Sequence, residues 1–426
     1  MPSATGTAPA RTVPGARRGM SALAHRNFRL FFFGQLISLV GTWMQSLAQG
    51  WLVLQLTQDP FVLGVISAIQ YVPVMVFGLF GGLIADALPK RTTLVATQTA
   101  SALLALVLWA LTATHQVQAW HVAILAFLLG CVNTVDMPTR QAFVVEMVGR
   151  DDVVNAVALN SAVFNAARIV GPAIAGVLIG LVGIAMCFLL NGLSFVAVIV
   201  GLLAMRTADL HALGTYRFDR SVGRVVTDLA EGLRYVWRTP VVLLAVVVVG
   251  VISTVGMNLN VLVPVFADDV LRVGATGFGF LMAATGVGSL VSALLIAYLG
   301  RSSPRIMLVG GAILGLLQAV LIAVHAMPIA LACLFGVGFG SIAMTATANT
   351  SVQLAVPDNL RGRVMSVYTT VFAGSTPIGA LFAGALAAQY GAAVAFGIGG
   401  GISLAVVIVA YAVARPWLAQ RQWRTA

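Results

Sequence analysis

Few side chains of this sequence could do chemistry, and they fall in three places. Asp136 and Arg140 stand one helical turn apart at the close of a long apolar run, and Arg168 lies thirteen residues into the next run, which begins near residue 155. A charged turn, Gly82-x-x-x-Asp86-x-x-x-Lys90-Arg91, is wedged between two more apolar runs. A charge inside a low-dielectric segment is costly and usually has a partner or faces a cavity. Two readings therefore stand for Asp136 and Arg168. They form a structural pair fastening two helices, with Arg140 assisting, or Asp136 is a proton-responsive carboxylate that Arg168 tunes while also reaching a bound solute. Catalysis is disfavoured: His25, His115, His121, His211 and His325 are dispersed, and no nucleophile–base pair or metal-ligand cluster stands out. No Gly-x-x-x-x-Gly-Lys-Ser/Thr loop is present, so no nucleotide-driven motor, cofactor or metal is expected.

The elements that must position these residues follow from composition. Sixty per cent of the 426 residues are apolar and nine per cent are charged, against roughly 25% charged in soluble domains. About 20 apolar residues cross a bilayer as a helix, and twelve runs qualify, near 30–56, 61–85, 93–114, 119–137, 155–180, 182–205, 240–266, 276–299, 306–326, 328–352, 364–388 and 392–414. Helices are required because lipid satisfies no backbone polar group, and the alternation of a membrane β-barrel is missing. The expectation is an all-α membrane protein of twelve spans. A basic arm (1–29), six spans (30–205), a polar linker (206–239), six more spans (240–414) and a short tail (415–426) divide the chain.

Of 24 Lys and Arg, all but Arg168 and Arg272 fall on one side when the N-terminus is placed inside. That bias predicts cytoplasmic termini and a bacterial inner-membrane location. The net charge of +11 is dispersed over loops that face anionic lipid, so nucleic acid is not the expected partner. The linker ends in an amphipathic stretch. Val222, Val225, Val226, Leu229, Leu233, Val236 and Trp237 share one face, with Arg224, Asp228, Glu231, Arg234 and Arg238 opposite, the pattern of a helix lying on the membrane surface. It serves as a tether between halves or as a docking helix.

The chain repeats itself. The charged turn has a worn copy at Ala297–Arg305, and at the same offset Gly41 falls on Gly256 and Gly64 on Gly279. Internal repeats of this kind build many secondary transporters. Twelve spans in two halves with that turn resemble the major facilitator superfamily. The resemblance implies that Asp86 latches the start of span eleven, near Arg361 and Arg363, while Lys90 and Arg91 grip neighbouring helix ends. Ala87 and Pro89 depart from the usual turn. Three further stretches narrow the branch: Asn133-Thr-Val-Asp136-Met-Pro-Thr-Arg140-Gln-Ala-Phe143, Asn165-Ala-Ala-Arg168-Ile-Val-Gly171-Pro172-Ala-Ile-Ala-Gly176, and Pro357-Asp-Asn-Leu-Arg361-Gly-Arg363-Val-Met-Ser366. Together they resemble the secretion-type exporter branch that includes siderophore exporters. Gly171-Pro172 with Gly176 is similar to the antiporter motif of drug/proton exchangers, though Ala175 replaces one glycine. The element is either a packing bend or a pivot that holds an exporter closed toward the inside.

Gln35, Gln45, Gln49, Asn165 and Asn258 are the uncharged polar candidates to line a central cavity. Such a lining suits an amphiphilic, hydrogen-bonding small molecule. The resemblance implies secondary export of drugs, a siderophore or another secondary metabolite, with protons as the coupling ion and alternating access. An importer or uniporter of the same fold, or a non-transporting membrane sensor or assembly protein, are the alternatives. The oligomeric state is left open, and a monomer is compatible with the sequence.

Overall fold

The structure, a computed structural model, describes residues 20–211, 222–300 and 303–418. Twelve helices among them are long and apolar enough to cross a bilayer. Spans one to six are Arg26–Thr57, Pro60–Ala87, Lys90–Ala113, Ala119–Val148, Val153–Val182 and Ala185–Leu203. The linker helix is Val222–Arg238. Spans seven to twelve are Pro240–Val270, Gly274–Leu299, Pro304–Ala323, Met327–Ala355, Asp358–Tyr390 and Ala392–Leu418. Local signals fix several ends. The Asp59 carboxylate accepts the Phe61 N–H at 2.8 Å just ahead of Pro60, whose ring is pre-set for a helix start. Ser303 caps the Ile306 N–H at 3.4 Å ahead of Pro304 in the same way.

Two spans differ from the expectation. Span four does not stop near residue 137 but continues to Val148. Pro138 withholds a donor from the Thr134 carbonyl without ending the helix, and Gly81 of span two packs directly on that carbonyl. Span seven is broken rather than continuous: it halts at Gly256, leaves Met257 and Asn258 non-helical, and resumes at Leu259. The freed carbonyls find side-chain donors, since Gln318 Nε2 reaches Gly256 O at 2.5 Å and Asn258 Nδ2 reaches Thr254 O at 2.6 Å. Backbone outside helical geometry is tolerated at this depth only with such compensation.

The internal repeat is visible in the packing. An ideal Cβ on Gly41 would stand 2.5 Å from Ser194 Oγ of span six, and one on Gly256 would stand 2.9 Å from Ser403 Oγ of span twelve. Gly64 likewise meets span eleven, where a Cβ would lie 3.1 Å from Gly384 Cα, and Gly279 meets span five, 2.8 Å from Gly176 Cα. Equivalent glycines thus make equivalent close approaches in the two halves, as a pseudo-symmetric pair of six-helix bundles requires.

Spans two and eleven, and spans five and eight, form the main seams between the halves. Both seams are tight at the end remote from the termini, through the four glycines just named. Trp51 of span one also stacks on Phe278 of span eight there, ring centres 5.8 Å apart. At the termini end the seams part. A Cβ on Gly82 or Gly362 would meet nothing within 4 Å. Val154 at the start of span five and Tyr298 near the end of span eight are 79% and 87% exposed. The cleft between the halves opens toward the termini.

Candidate functional site

The closed end of that cleft is polar but uncharged. Gln49 of span one donates through Nε2 to Gln70 Oε1 of span two at 3.1 Å. Ser46, Ser67, Tyr71 and Asn260 line the same small cavity, with Leu63, Ile66 and Val53 as its apolar wall. The break in span seven brings Asn260 here, because a straight helix through Met257 and Asn258 would redirect the residues after it. Its volume, about 40 Å³, holds a few waters and falls well short of the roughly 300–1,000 Å³ of a drug-sized site. It is the polar apex of a larger opening.

Among the polar candidates, Gln49 lines this cavity. The others are engaged in packing. Gln45 accepts the Asn191 amide at 2.6 Å, fastening spans one and six. Asn258 closes the helix break, and Gln35 is buried with its Oε1 unpartnered. Asn165 is half-buried and donates to Ser161 O of its own helix at 2.8 Å. Sequence reasoning missed Gln70 and Tyr71. Gln70 stands three residues before Pro73 in a run that reads as a single apolar span, and only the contact with Gln49 distinguishes it.

The charged residues sort differently from the expected pairing. Asp136 and Arg168 do not meet. Asp136, 3% exposed, accepts from Thr97 Oγ1 at 2.7 Å and Gln98 Nε2 at 2.8 Å on one oxygen. Its other oxygen takes two N–H groups of Arg140, one turn along the same helix. The i,i+4 spacing explains the choice, since side chains four apart on a helix are neighbours. Arg168 instead crosses to span eight, where its Nη2 donates to Ser289 Oγ. Ser289 passes its own proton to Gly338 O of span ten at 3.1 Å.

The basic part of the charged turn lies against helix ends. Arg91 donates to Leu202 O at 2.7 Å and Leu203 O at 2.8 Å, the last carbonyls of span six. A cation is favoured at that negative helix end. Lys90 pairs with Glu146 of span four at 2.7 Å. On the acid side, the side chain of Asp86 lies outside the described residues. Of the basic residues expected near it, Arg361 pairs with Asp358 at 2.6 Å, and Arg363 is held by Asp228 and Glu231 of the linker helix.

In span five, Gly171 lets span one approach, a Cβ there falling 2.6 Å from Trp43 Cβ and 2.8 Å from Val40 O. Pro172 is buried one residue on and leaves the Arg168 carbonyl without its helical donor. Gly176 makes the seam with Gly279.

Comparison with known proteins decides the lineage. Residues 18–423 match the family described as transmembrane secretion effector, within the major facilitator superfamily. The chain belongs to this family of transporters. It is 30% identical to a multidrug efflux pump, Tap, of Mycolicibacterium fortuitum over 84% of this chain and 88% of that protein. It is 26% identical to a staphyloferrin A transporter of Staphylococcus aureus over 91% and 96%. A solved peptide transporter, POT, in complex with sulfate superposes with a TM-score of 0.73 at 14% identity, covering 93% of this chain and 98% of that one; this likeness concerns the fold alone. The transporter is a multi-pass, twelve-helix membrane protein of the major facilitator fold, and its relatives include a multidrug efflux pump and a staphyloferrin A transporter.

Proposed function

We propose that this transporter exports small amphiphilic molecules across the bacterial inner membrane by alternating access, in exchange for protons. The observation that carries the reading is the cleft: parted at the termini end, sealed at the other, with a neutral polar apex at Gln49, Gln70 and Asn260. The positive-inside bias makes the termini end cytoplasmic, so this state accepts cargo from inside. Efflux and siderophore transport in the relatives' names support the outward direction. In the proposed cycle Asp136 is the proton-responsive carboxylate and Arg140 its counter-charge. Gly171 and Pro172 set the bend in span five on which the cavity closes toward the inside, while Gly176 keeps the far side shut against Gly279. Asp86 joins the start of span eleven when the cytoplasmic side shuts.

The test is uptake of a neutral amphiphilic dye such as Nile red into inverted inner-membrane vesicles with and without the protein, before and after a protonophore. Protein-dependent uptake that collapses with the protonophore is expected. Uptake indifferent to it would remove proton coupling, and uptake only into right-side-out vesicles would make the protein an importer.

A further inference from the structure

Arg168 stands fifteen residues after Val153 in a helix that runs to Val182, about 22 Å along the axis at 1.5 Å per residue and so near the bilayer midplane. Two other charged residues of the N-terminal spans are compensated: Asp136 by Arg140, and Glu146 by Lys90. Among the described residues no carboxylate lies within ion-pair distance of Arg168. Its hydrogen-bond partner is neutral, the buried Ser289 hydroxyl across the seam. That hydroxyl donates to Gly338 O, so it stands to the guanidinium as an acceptor and fixes one edge of it. A guanidinium carries five N–H donors, and most of this one's remain.

The side chain is also reachable. Arg168 is half-buried rather than sealed. On its termini side, along the same helix, Ser161, Ala162 and Phe164 are exposed. Phe164 packs edge-on against Trp43 at 5.6 Å, an aromatic pair one turn from the guanidinium. At the level of Arg168 the halves touch closely: a Cβ on Gly286 would lie 3.2 Å from the Arg168 carbonyl. The cation therefore sits where the open cleft narrows to the seam. An uncompensated cation at this depth is costly and calls for a partner. The amides of the apex cannot neutralise it; an anion delivered by the cargo can.

We infer that Arg168 is the docking cation for a carboxylate-class anionic group on the cargo, with Ser289 holding the guanidinium in register and the Phe164–Trp43 pair receiving the adjoining apolar body. Guanidinium and carboxylate match as a two-pronged, charge-assisted pair. The cargo is then an amphiphile with an acidic head. This assignment deepens the export reading and rests on it.

Three probes with one aromatic body separate the head group from the rest: naphthoate, naphthalenemethanol and naphthylmethylammonium. Their binding is measured by equilibrium dialysis with the full-length protein in phosphatidylcholine nanodiscs, which contribute no net anionic lipid. Wild type is expected to bind naphthoate about tenfold or more tighter than the alcohol, the size of a charged hydrogen-bonded contact, and the ammonium weakest. Arg168→Gln should bring naphthoate down to the alcohol while the alcohol itself shifts less than about twofold. Arg168→Lys should keep part of the preference, and Ser289→Ala should weaken naphthoate alone. If Arg168→Gln does not fold, the wild-type order together with Arg168→Lys and Ser289→Ala decides. Equal wild-type binding of acid and alcohol, no binding of any probe, or a preference that survives Arg168→Gln would overturn the assignment. Failure of export is distinct: a protein that selects naphthoate through Arg168 but moves no dye keeps its anion site and loses the export reading. One that pumps Nile red without acid preference does the reverse.

Discussion

Asp136 takes four hydrogen bonds, from Thr97, Gln98 and two N–H groups of Arg140. Its partners come from spans three and four, so it holds two helices as well as a charge. Removing one member of a buried pair strands the other and costs about 3–5 kcal/mol. Asp136→Asn should therefore lower the melting temperature in detergent, and adding Arg140→Gln should recover part of the loss. If Asp136 carries the proton, the double variant will fold yet move dye without responding to a pH gradient; normal coupling in it would assign Asp136 a fastening role only. A second carboxyl lies outside the membrane. Asp152, at the head of span five, accepts the Ser21 hydroxyl at 2.5 Å and lies 2.8 Å from His25 Nε2. The Ser21 hydrogen bond first, and His25 next, hold its carboxyl below the ordinary carboxylate range. A depressed folded pKa means the contact contributes fully above the unfolded value of about 3.9 and is lost as pH falls through the folded one. Ser21→Ala should raise that value and shrink the contribution, so its melting temperature should lie below wild type at about pH 7 and the gap should narrow as the scan falls toward pH 3.

At the scale of elements, the helices meet through glycine. Gly279 has span five's backbone where a side chain would be, with Pro172 O at 2.6 Å and Gly176 Cα at 2.8 Å from an ideal Cβ. Backbone cannot swing aside as a side-chain tip can. Gly279→Leu should push spans five and eight apart at the sealed end, costing about 1–3 kcal/mol as overpacking does. Accessibility of a reporter cysteine at Gly180 to an impermeant thiol reagent should rise; unchanged labelling would mean the seam is not the seal. The linker helix is held by a similar approach. Gly232 lies 2.6 Å, by its ideal Cβ, from Arg363 O, and Tyr235 donates to Ala355 O at 3.2 Å. Leu229, Leu233 and Trp237 remain exposed, as suits a helix at a membrane surface. Its Asp228 and Glu231 occupy Arg363 in this state.

For the whole molecule, the two seams describe one end of a rocking motion. Closing the cytoplasmic side would carry Gly82 to Gly362, positions that now face open space. A Gly82→Cys/Gly362→Cys pair should cross-link slowly in detergent and faster when cargo or an imposed proton gradient shifts the population outward. The shift is limited by the ligand's differential affinity for the two states. Cross-linking at one rate under all conditions would remove alternating access at this seam. Arg363 would have to leave Asp228 and Glu231 for the charged turn during that closure. Neutralising both acids should then raise the cross-linking rate.

Class, span count and repeat were legible in the chain because each is local. Hydropathy over about 20 residues reports a span, and Gly41/Gly256 and Gly64/Gly279 report duplication wherever they pack. Partner choice was not. Whether Arg168 faces Asp136 or Ser289, and whether Gln45 or Gln70 joins the cavity, depends on which faces of distant helices meet. In a chain whose spans are apolar all round, composition does not mark the inward face. The break at Met257–Asn258 escaped notice for a related reason: Gly256, Asn258 and Asn260 lie in an otherwise apolar run long enough to read as one span, and Gln318, from another span, supplies a donor that lets the backbone leave the helix.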